Sequence, residues 1–252
     1  MKGRNLLEGK TVLITAAAGT GIGFATARRC VEEGARVMLS DLHERRLGEA
    51  AAEIQKITGE SPPVQLCNVT QQAEVDALIE AAVSKLGCID VLVNNAGLGG
   101  YAQLVDMADE QWNQVLDVTL NGTFRMTRAV LPHMLERGTG AVVNNASVLG
   151  WRAQEGQSHY AAAKAGVMAF TRCVAMEVAQ SGVRVNAVAP SLAMHAFLEK
   201  VTPPGLLQEL TAREAMGRAA EPFEVANVIV FLASDYASYM TGEVVAVSSQ
   251  HP

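Results

Sequence analysis

The chain is poor in charged and aromatic residues and has no excess of positive charge. Charged residues make up 18% of its 252 residues and aromatic residues 5%, while 26 acidic side chains outnumber 20 lysines and arginines. A net charge of −6 excludes a general electrostatic attraction to nucleic acid or to an anionic membrane surface. The few aromatic rings also leave little for single-stranded nucleic acid to stack on. We therefore expect neither nucleic acid nor a membrane as a partner.

Cysteine is also scarce, with four residues at 30, 67, 88 and 173. None of the spacings is that of a zinc knuckle or a CxxC pair, so we expect neither a metal centre nor a disulfide framework. Uncharged apolar runs long enough to span a bilayer are absent, and charges interrupt the N-terminal segment where a signal peptide needs its apolar stretch. Free thiols and these absences predict a cytoplasmic protein.

Hydrophobic residues, by contrast, make up 49% of the chain, enough for a sizeable core. Short β-branched runs predict strands at 11–15, 35–39, 64–67, 89–93, 141–146, 183–189 and 244–247. Between them, amphipathic patterns predict helices at 22–33, 44–57, 73–86, 111–137, 160–180 and 224–233. This alternation predicts an α/β fold: a Rossmann-like, doubly wound, seven-stranded parallel sheet with helices on both faces.

The chain carries no linker-like stretch, charge block or internal repeat, so residues 1–252 are interpreted as one dinucleotide-binding domain. The segment 191–217 departs from the alternating pattern. It contains Pro203-Pro204-Gly205 and short apolar clusters, which suit a substrate loop. Ser158 is placed to cap the helix at 160–180, and Gly182 is placed to end it.

A glycine-rich turn follows the first predicted strand. Gly19, Gly21 and Gly23, with Ile22, lead directly into a predicted helix, where backbone N–H groups can approach a phosphate. The spacing does not match GxGxxG, and no Lys-Ser/Thr pair follows the glycines, which excludes a P-loop NTPase. A turn that only packs the helix on the strand is the alternative interpretation.

Asp41 strengthens the case for a dinucleotide. It ends the second predicted strand about 20 residues after the glycines, where a carboxylate accepts hydrogen bonds from the adenosine ribose. Its charge would repel a 2′-phosphate, which favours NAD(H) over NADP(H) without excluding the latter. An Asp that caps the next helix is the alternative, and Arg45 and Arg46 fit a solvated helix face.

Tyr160 and Lys164 lie four residues apart in a helical stretch, so the phenol and the ammonium share one face. A nearby ammonium favours phenolate, which would lower the pKa of a phenol from about 10 toward the working range. Ser147 ends a preceding buried strand, at the carboxyl edge of the sheet where ligands bind. Together these three residues predict an acid–base site.

Several motifs at consistent spacing resemble those of the short-chain dehydrogenase/reductase family, especially its 3-oxoacyl-ACP and CoA reductases, over nearly the whole chain. They are Asn94-Asn95-Ala96-Gly97, Ser147 with Tyr160 and Lys164, Asn186-Ala187-Val188-Ala189-Pro190, Phe231-Leu232-Ala233-Ser234-Asp235 and Tyr239-Met240-Thr241-Gly242. The resemblance implies an NAD(P)-dependent oxidoreductase that interconverts a secondary alcohol and a ketone by hydride transfer. It also implies a homo-oligomer, a dimer or tetramer.

The resemblance further implies roles for individual residues. Tyr160 would be the general acid or base, Ser147 would bind the carbonyl oxygen, Lys164 would bind the nicotinamide ribose and lower the pKa of Tyr160, and Asn121 would position a relay water. The implied cofactor-binding residues are Ala17, Gly19, Gly21, Ile22, Gly23, Asp41, Asn68, Val69, Asn95, Ala96, Gly97, Tyr160, Lys164, Pro190, Leu192 and His195.

The chain departs from the family pattern at the glycine turn, which carries one extra residue. The family's first glycine falls on Ala17, so we expect Gly19 to supply the positive φ that Ala17 cannot adopt cheaply. Asn68 replaces the usual Asp, and we expect its amide oxygen to accept the same bond from the adenine amine. The usual C-terminal Asp-Gly-Gly is replaced around Ser248 and Ser249, where an interface between subunits is expected to differ.

The substrate is less well indicated. Leu98, Leu149 and Trp151 predict an apolar wall, and Arg152 is a candidate clamp for an anionic group, with a surface arginine as the alternative. We expect an apolar hydroxyacyl or ketoacyl thioester or a cyclic, steroid-like hydroxy compound. A catalytically silent sensor of nicotinamide redox state is the alternative function, and the set of Asn121, Ser147, Tyr160 and Lys164 favours the enzyme.

Overall fold

Seven parallel strands form one sheet in the computed structural model of the protein, which describes residues 3–194, 198, 202 and 205–249. The strands are β1 (Thr11–Ile14), β2 (Arg36–Asp41), β3 (Val64–Leu66), β4 (Val91–Asn94), β5 (Gly140–Asn145), β6 (Val183–Pro190) and β7 (Val244–Val247). Their order across the sheet is β3-β2-β1-β4-β5-β6-β7. The predicted seven-stranded parallel sheet is confirmed.

Eight described helices connect and cover these strands. They are α1 (Ile22–Glu32), α2 (Glu44–Thr58), α3 (Gln72–Leu86), α4 (Asp109–Leu116), α5 (Gly122–Arg137), α6 (Ser158–Val178), α7 (Leu206–Arg213) and α8 (Pro222–Ala233). Val12 and Ile14 of β1 join a buried cluster with residues of α1, α2 and α8, whereas Leu13 joins one with residues of α3, α5 and α6. Because alternate side chains of a strand point to opposite faces, helices cover both faces of the sheet.

Three local features differ from the sequence-based expectations. The helix predicted at 111–137 is interrupted by a π-helical turn, Asp117–Asn121, between α4 and α5. Helix α7 lies within the segment expected to be a loop. The predicted cap at Ser158 is wrong, because Gln157 precedes α6 and no side chain bonds to its first turn, whereas Gly182 has the expected positive φ of 74°. Among the helices that the structure describes, none is long and apolar enough to cross a membrane.

The strand order creates the crevice that holds the candidate site. From β1 the chain winds to one edge through β2 and β3, and then resumes on the other side of β1 with β4. The carboxyl ends of β1 and β4 therefore lead to connections that diverge to opposite faces, which opens a gap at the sheet edge. Residues that follow these strands face a common cavity.

Candidate active site

A cavity of about 890 Å³ lies at this carboxyl edge, between the glycine-rich turn and helix α7. Most of the residues predicted from the sequence to bind a cofactor line it. They are Gly19, Gly21, Ile22, Gly23, Asp41, Asn68, Val69, Asn95, Ala96, Gly97, Tyr160, Lys164, Pro190 and Leu192. His195 lies outside the described residues. The structure therefore brings segments from across the chain to one concave surface.

The glycine-rich turn is closely packed against the loop that follows β4. The hydroxyl of Thr15 accepts hydrogen bonds from the backbone N–H groups of Asn95 at 3.0 Å and Ala96 at 3.1 Å. A Cβ at Gly23 would lie 2.2 Å from the carbonyl oxygen of Ala16 and 2.5 Å from Nδ2 of Asn95. Only glycine fits there, so the first turn of α1 approaches the preceding backbone closely.

The placement of Ala17 at the cofactor surface is not supported by the structure. Ala17 is fully buried, and its N–H donates to the carbonyl of Ser40 at 3.0 Å. Its neighbours Ala16 and Ala18 line the cavity instead. Gly19 has a φ of +83°, as expected, but Ala16 also lies in the left-handed region, at +49°. The turn therefore stores backbone strain at an alanine.

Replacing Ala16 by Gly is expected to stabilise the protein. An L-residue in the left-handed region destabilises the folded state by about 1–2 kcal/mol, and glycine relieves this strain. The greater freedom of glycine in the unfolded chain offsets about 0.4–1 kcal/mol of the gain. We expect the free energy of unfolding, measured by urea denaturation, to rise by up to about 1 kcal/mol.

The opposite change at Gly19 is the matched control for this prediction. Gly19 has open space around its Cβ position, so Gly19→Ala introduces strain without a clash. It should lower the free energy of unfolding by about 1 kcal/mol. A destabilised Ala16→Gly variant would show that the turn does not require a left-handed residue at 16.

Asp41 bridges two backbone segments at the end of the cavity nearest β2. Its Oδ2 accepts from the N–H of Ala18 and its Oδ1 from the N–H of His43, both at 3.1 Å. Burial raises the pKa of this carboxyl, while the Ala18 bond and the charge of Arg46 partly oppose the rise. Arg46 lines the cavity, as does Arg45, which pairs with Glu49 at 2.6 Å on an exposed helix face. A carboxylate and a cation therefore stand together at this end.

Asn68 presents a donor where an acceptor is expected. Its Oδ1 accepts from the backbone N–H of Thr70 at 3.0 Å and from the Thr70 hydroxyl at 2.8 Å. Because an N–H group requires an acceptor, this contact fixes the amide with Nδ2 on the other side. The expectation that the amide oxygen binds an adenine amine is corrected, since that oxygen already accepts two bonds.

Ser147, Tyr160 and Lys164 meet in the interior part of the cavity. Ser147 lies two residues after the end of β5, and its side chain hydrogen-bonds to the phenol of Tyr160 on α6. Lys164 is one turn further along α6; its Nζ lies 5.5 Å from the centre of the Tyr160 ring and donates to the carbonyl of Asn145 at 2.5 Å. The predicted clustering of these three side chains is thus present.

Burial sets the protonation of this cluster. It raises the pKa of the Tyr160 phenol to about 12, although the hydrogen bond with Ser147 acts in the opposite direction. Burial likewise lowers the pKa of Lys164 to about 8. The expected depression of the Tyr160 pKa by Lys164 is therefore not found, because desolvation of the phenolate dominates. In this state Tyr160 holds its proton at neutral pH.

Asn121 does not join the cluster. Its side chain is exposed and donates to Oδ1 of Asp117 at 3.0 Å. Thr119, two residues earlier in the π-helical turn, is fully buried instead, and its hydroxyl bonds to both the N–H and the carbonyl of Leu98. Residues two apart on a helix point in nearly opposite directions, so Thr119 faces the loop at Leu98, which lines the cavity, while Asn121 faces solvent. Thr119 supports that loop without lining the cavity itself; it was not predicted, although a polar residue within an apolar helix face was a usable signal.

Two loops form the outer wall of the cavity. Gln157 donates to the carbonyl of Gly100 at 2.7 Å, and the ring of Tyr101 occupies the space that a Cβ at Gly156 would need. Of the four residues predicted for the substrate side, Leu98, Leu149 and Arg152 line the cavity. Trp151 does not line it and is 46% exposed, because it follows the 3₁₀ turn Val148–Gly150 on its outer side.

The residues present fit a nicotinamide dinucleotide. The close approach at Gly23 leaves backbone N–H groups at the start of α1 facing the cavity, which suits a pyrophosphate. Asp41 at one end suits a ribose, and Lys164 with Tyr160 at the other suits the reactive half. No group of three or more His, Cys, Asp or Glu side chains that could hold a metal ion occurs among the residues described.

Comparisons with known proteins agree with this arrangement. A family model described as enoyl-(acyl carrier protein) reductase matches residues 16–249. The chain is 60% identical over 251 residues to (5R,7aS)-5-hydroxy-7a-methyl-1-oxo-2,3,5,6,7,7a-hexahydro-1H-indene-carboxyl-CoA reductase of Mycobacterium tuberculosis, covering 99% of this chain and 96% of that protein. It is 43% identical over 241 residues to a 3-oxoacyl-[acyl-carrier-protein] reductase of Thermotoga maritima, covering 96% and 97%.

Solved structures show the same fold. A short chain dehydrogenase from Mycobacterium smegmatis is 56% identical, with a TM-score of 0.88 and coverage of 100% of this chain and 97% of that one. Levodione reductase is 34% identical, with a TM-score of 0.91 and coverage of 96% and 97%.

Proposed function

Because this chain belongs to the short-chain dehydrogenase/reductase family, and is therefore an NAD(P)-dependent oxidoreductase of alcohols and ketones, we propose that it reduces a ring ketone of an apolar acyl-CoA thioester with NADH. The observation that carries this proposal is the buried cluster of Tyr160, Ser147 and Lys164, in the same cavity as the turn beside Asp41. It would act as one domain, and α7, within the segment 191–217 predicted to contact the substrate, would form part of the substrate site.

The side chains divide the work of proton transfer and orientation. A bound nicotinamide supplies the hydride. Tyr160 donates its proton to the carbonyl oxygen in the direction of reduction, and Ser147 hydrogen-bonds to the same oxygen and orients it. Lys164 lies between the Asn145 carbonyl and the Tyr160 ring, where it binds ribose hydroxyls and favours the phenolate after the proton has left.

The substrate class rests on the cavity walls and on the 60% identical reductase, whose name specifies a bicyclic carboxyl-CoA. Apolar side chains suit fused rings, and Arg152 suits an anionic group of the thioester. We test this with a panel of cyclic ketoacyl-CoAs, straight-chain 3-oxoacyl-CoAs and free cyclic ketones, following NADH consumption. Cyclic thioesters should give the highest kcat/KM; a straight-chain preference by tenfold or more would contradict the cyclic assignment.

The raised pKa of Tyr160 predicts different pH profiles for the two reaction directions. Reduction uses the protonated phenol, which persists through neutral pH because the pKa is raised to about 12. Oxidation uses the phenolate, whose fraction grows about tenfold per pH unit below that pKa. We expect kcat for alcohol oxidation to rise with pH from 7 to 9 while kcat for reduction does not rise; parallel profiles would argue against Tyr160 as the acid and base.

A homo-oligomer is part of the proposal. Phe124 on α5 is 40% exposed. Its ring meets that of Phe170 edge-on, with 6.3 Å between the ring centres, and Cζ of Arg128 lies 4.6 Å from the centre of the Phe124 ring. Tyr236 and Tyr239, near the C-terminal strand, are exposed as well. Such aromatic surfaces suit contacts with further copies of the chain. Light scattering after size exclusion tests this, and a monomer at micromolar concentration would contradict it.

A further inference from the structure

A chain of hydrogen bonds joins the glycine-rich turn to the lysine of the reactive cluster. Nδ2 of Asn95 donates to the carbonyl of Ala16 at 3.1 Å, and Nδ2 of Asn145 donates to Oδ1 of Asn95 at 2.9 Å. At the far end, Nζ of Lys164 donates to the backbone carbonyl of Asn145 at 2.5 Å. Asn145 is the last residue of β5 and lines the cavity.

The donor-to-acceptor direction of these hydrogen bonds, which together form a relay, fixes the orientation of both side-chain amides. The carbonyl of Ala16 can only accept, so Asn95 must turn its Nδ2 toward it and its Oδ1 toward Asn145. Asn145 must then offer its own Nδ2 to that oxygen. The Oδ1 of Asn145 consequently points away from the relay, and reversing the amide would bring two acceptors together.

This oxygen is buried without a hydrogen-bond partner in the described part of the chain, although Asn145 lines the cavity. A buried carbonyl oxygen that lacks a donor costs about 1–3 kcal/mol. The adenosine end of the proposed cofactor lies at Asp41, on the far side of the glycine-rich turn. Between that turn and Lys164, the donors that a dinucleotide carries are the hydroxyls of the nicotinamide ribose and the N–H of its carboxamide.

Resting on the proposed function, we propose that Asn145 is a cofactor-binding residue whose Oδ1 accepts a hydrogen bond from a hydroxyl of the nicotinamide ribose. The relay holds this oxygen in place through Asn95, and the adjacent Lys164 binds the same sugar. The residue thereby couples the strained turn at Ala16 to the reactive end of the cavity.

Equilibrium binding of three ligands to the Asn145→Leu variant tests the proposal. NADH carries both the ribose and the carboxamide, ADP-ribose carries the ribose alone, and ADP carries neither. Leucine keeps the branched shape of asparagine, although it is larger, and it can neither accept nor donate a hydrogen bond. We expect Kd to rise about tenfold for NADH and for ADP-ribose, and less than about twofold for ADP.

Asn94 provides a matched control. Its Oδ1 is also buried without a partner in the described structure, but Asn94 does not line the cavity. Asn94→Leu should leave all three Kd values within about twofold of the original. Circular dichroism verifies folding, and Asn145→Ala, which adds no volume, repeats the test if Asn145→Leu does not fold.

Each other outcome overturns the assignment. Weakening confined to NADH would point to the carboxamide, and equal weakening of ADP would mean that Asn145 acts only through the glycine-rich turn. Unchanged binding of all three ligands would leave the oxygen without a role in the cofactor site. If the unmodified protein bound neither NADH nor ADP-ribose, the proposed function itself would fail, which is distinguishable from these results.

Discussion

Replacing Tyr160 by Phe is expected to lower kcat for ketone reduction by about 10²–10⁴-fold, the usual contribution of a positioned general acid. The change removes one hydroxyl, which hydrogen-bonds to Ser147 and holds a proton at neutral pH because burial raises its pKa to about 12. The ring itself, packed beside Lys164 and Gly99, stays in place. The loss should therefore fall on kcat, with the Kd for NADH within about twofold of its original value.

The same chemical change at an exposed site controls for this prediction. Tyr236 lies outside the cavity lining, and Tyr236→Phe keeps the aromatic ring that a subunit contact would use, so it should leave both kcat and the Kd for NADH unchanged. The Tyr160→Phe result also separates the enzyme from a silent redox sensor. If the unmodified protein turned over no substrate of the panel and Tyr160→Phe bound NADH equally well, the sensor would be the better interpretation. Undiminished turnover by Tyr160→Phe would rule out the acid–base assignment.

Replacing Asp41 by Ala is expected to shift the preference from NADH toward NADPH by about 100-fold. A carboxylate about 4 Å from a phosphate charge interacts by about 4 kcal/mol at an effective dielectric of 20, and partial solvent exposure reduces this to about 3 kcal/mol. Removal of the charge also frees Arg46, whose cation now lies close to Asp41, to meet a 2′-phosphate. Fluorescence titration with both cofactors measures the ratio of the two Kd values.

Two comparisons separate charge from shape at this position. Asp41→Asn keeps an acceptor for the N–H of Ala18 but removes the charge, so it should produce most of the shift toward NADPH that Asp41→Ala produces. Asp76→Asn makes an equal change of charge at an exposed position of α3 and should not alter the ratio of the two Kd values.

Burial raises the pKa of Asp41, so the carboxyl of the unmodified protein loses its charge as the pH falls through that raised value. Discrimination against NADPH should weaken at low pH; an unaltered ratio in Asp41→Ala would refute the assignment.

Much of the fold follows from local patterns that a sequence displays directly. The run Val12-Leu13-Ile14 of β1 is continuously apolar because both faces of the strand are covered by helices, and this signal can be recognised without knowing the neighbouring segments. The π-helical turn after Leu116 was not predictable in the same way. Helix continues directly on both sides of this turn, so no proline or loop-like stretch marks it in the sequence.

The candidate site was partly predictable for a similar reason. Tyr160 and Lys164 share a face by helical spacing alone, and Asp41 follows a strand whose end is marked by its composition. Asn121 and Trp151 were placed by position in the chain, and the structure turns both outward. Which of Thr119 and Asn121 is buried against the loop at Leu98 depends on the rotation of one helical turn, and two residues of error reverse the direction of a side chain.

By itself, the sequence determined the family, the order of the seven strands along the chain and the clustering of Ser147, Tyr160 and Lys164, because all of these depend on spacing along the chain. Only the tertiary structure decided which backbone residue bears the strain of the glycine-rich turn and which way the amides of Asn68 and Asn145 point. It also decided that the phenol of Tyr160 keeps its proton at neutral pH. Those properties arise from contacts between segments far apart in sequence and from the removal of water around them. Neither is recorded in the spacing of residues.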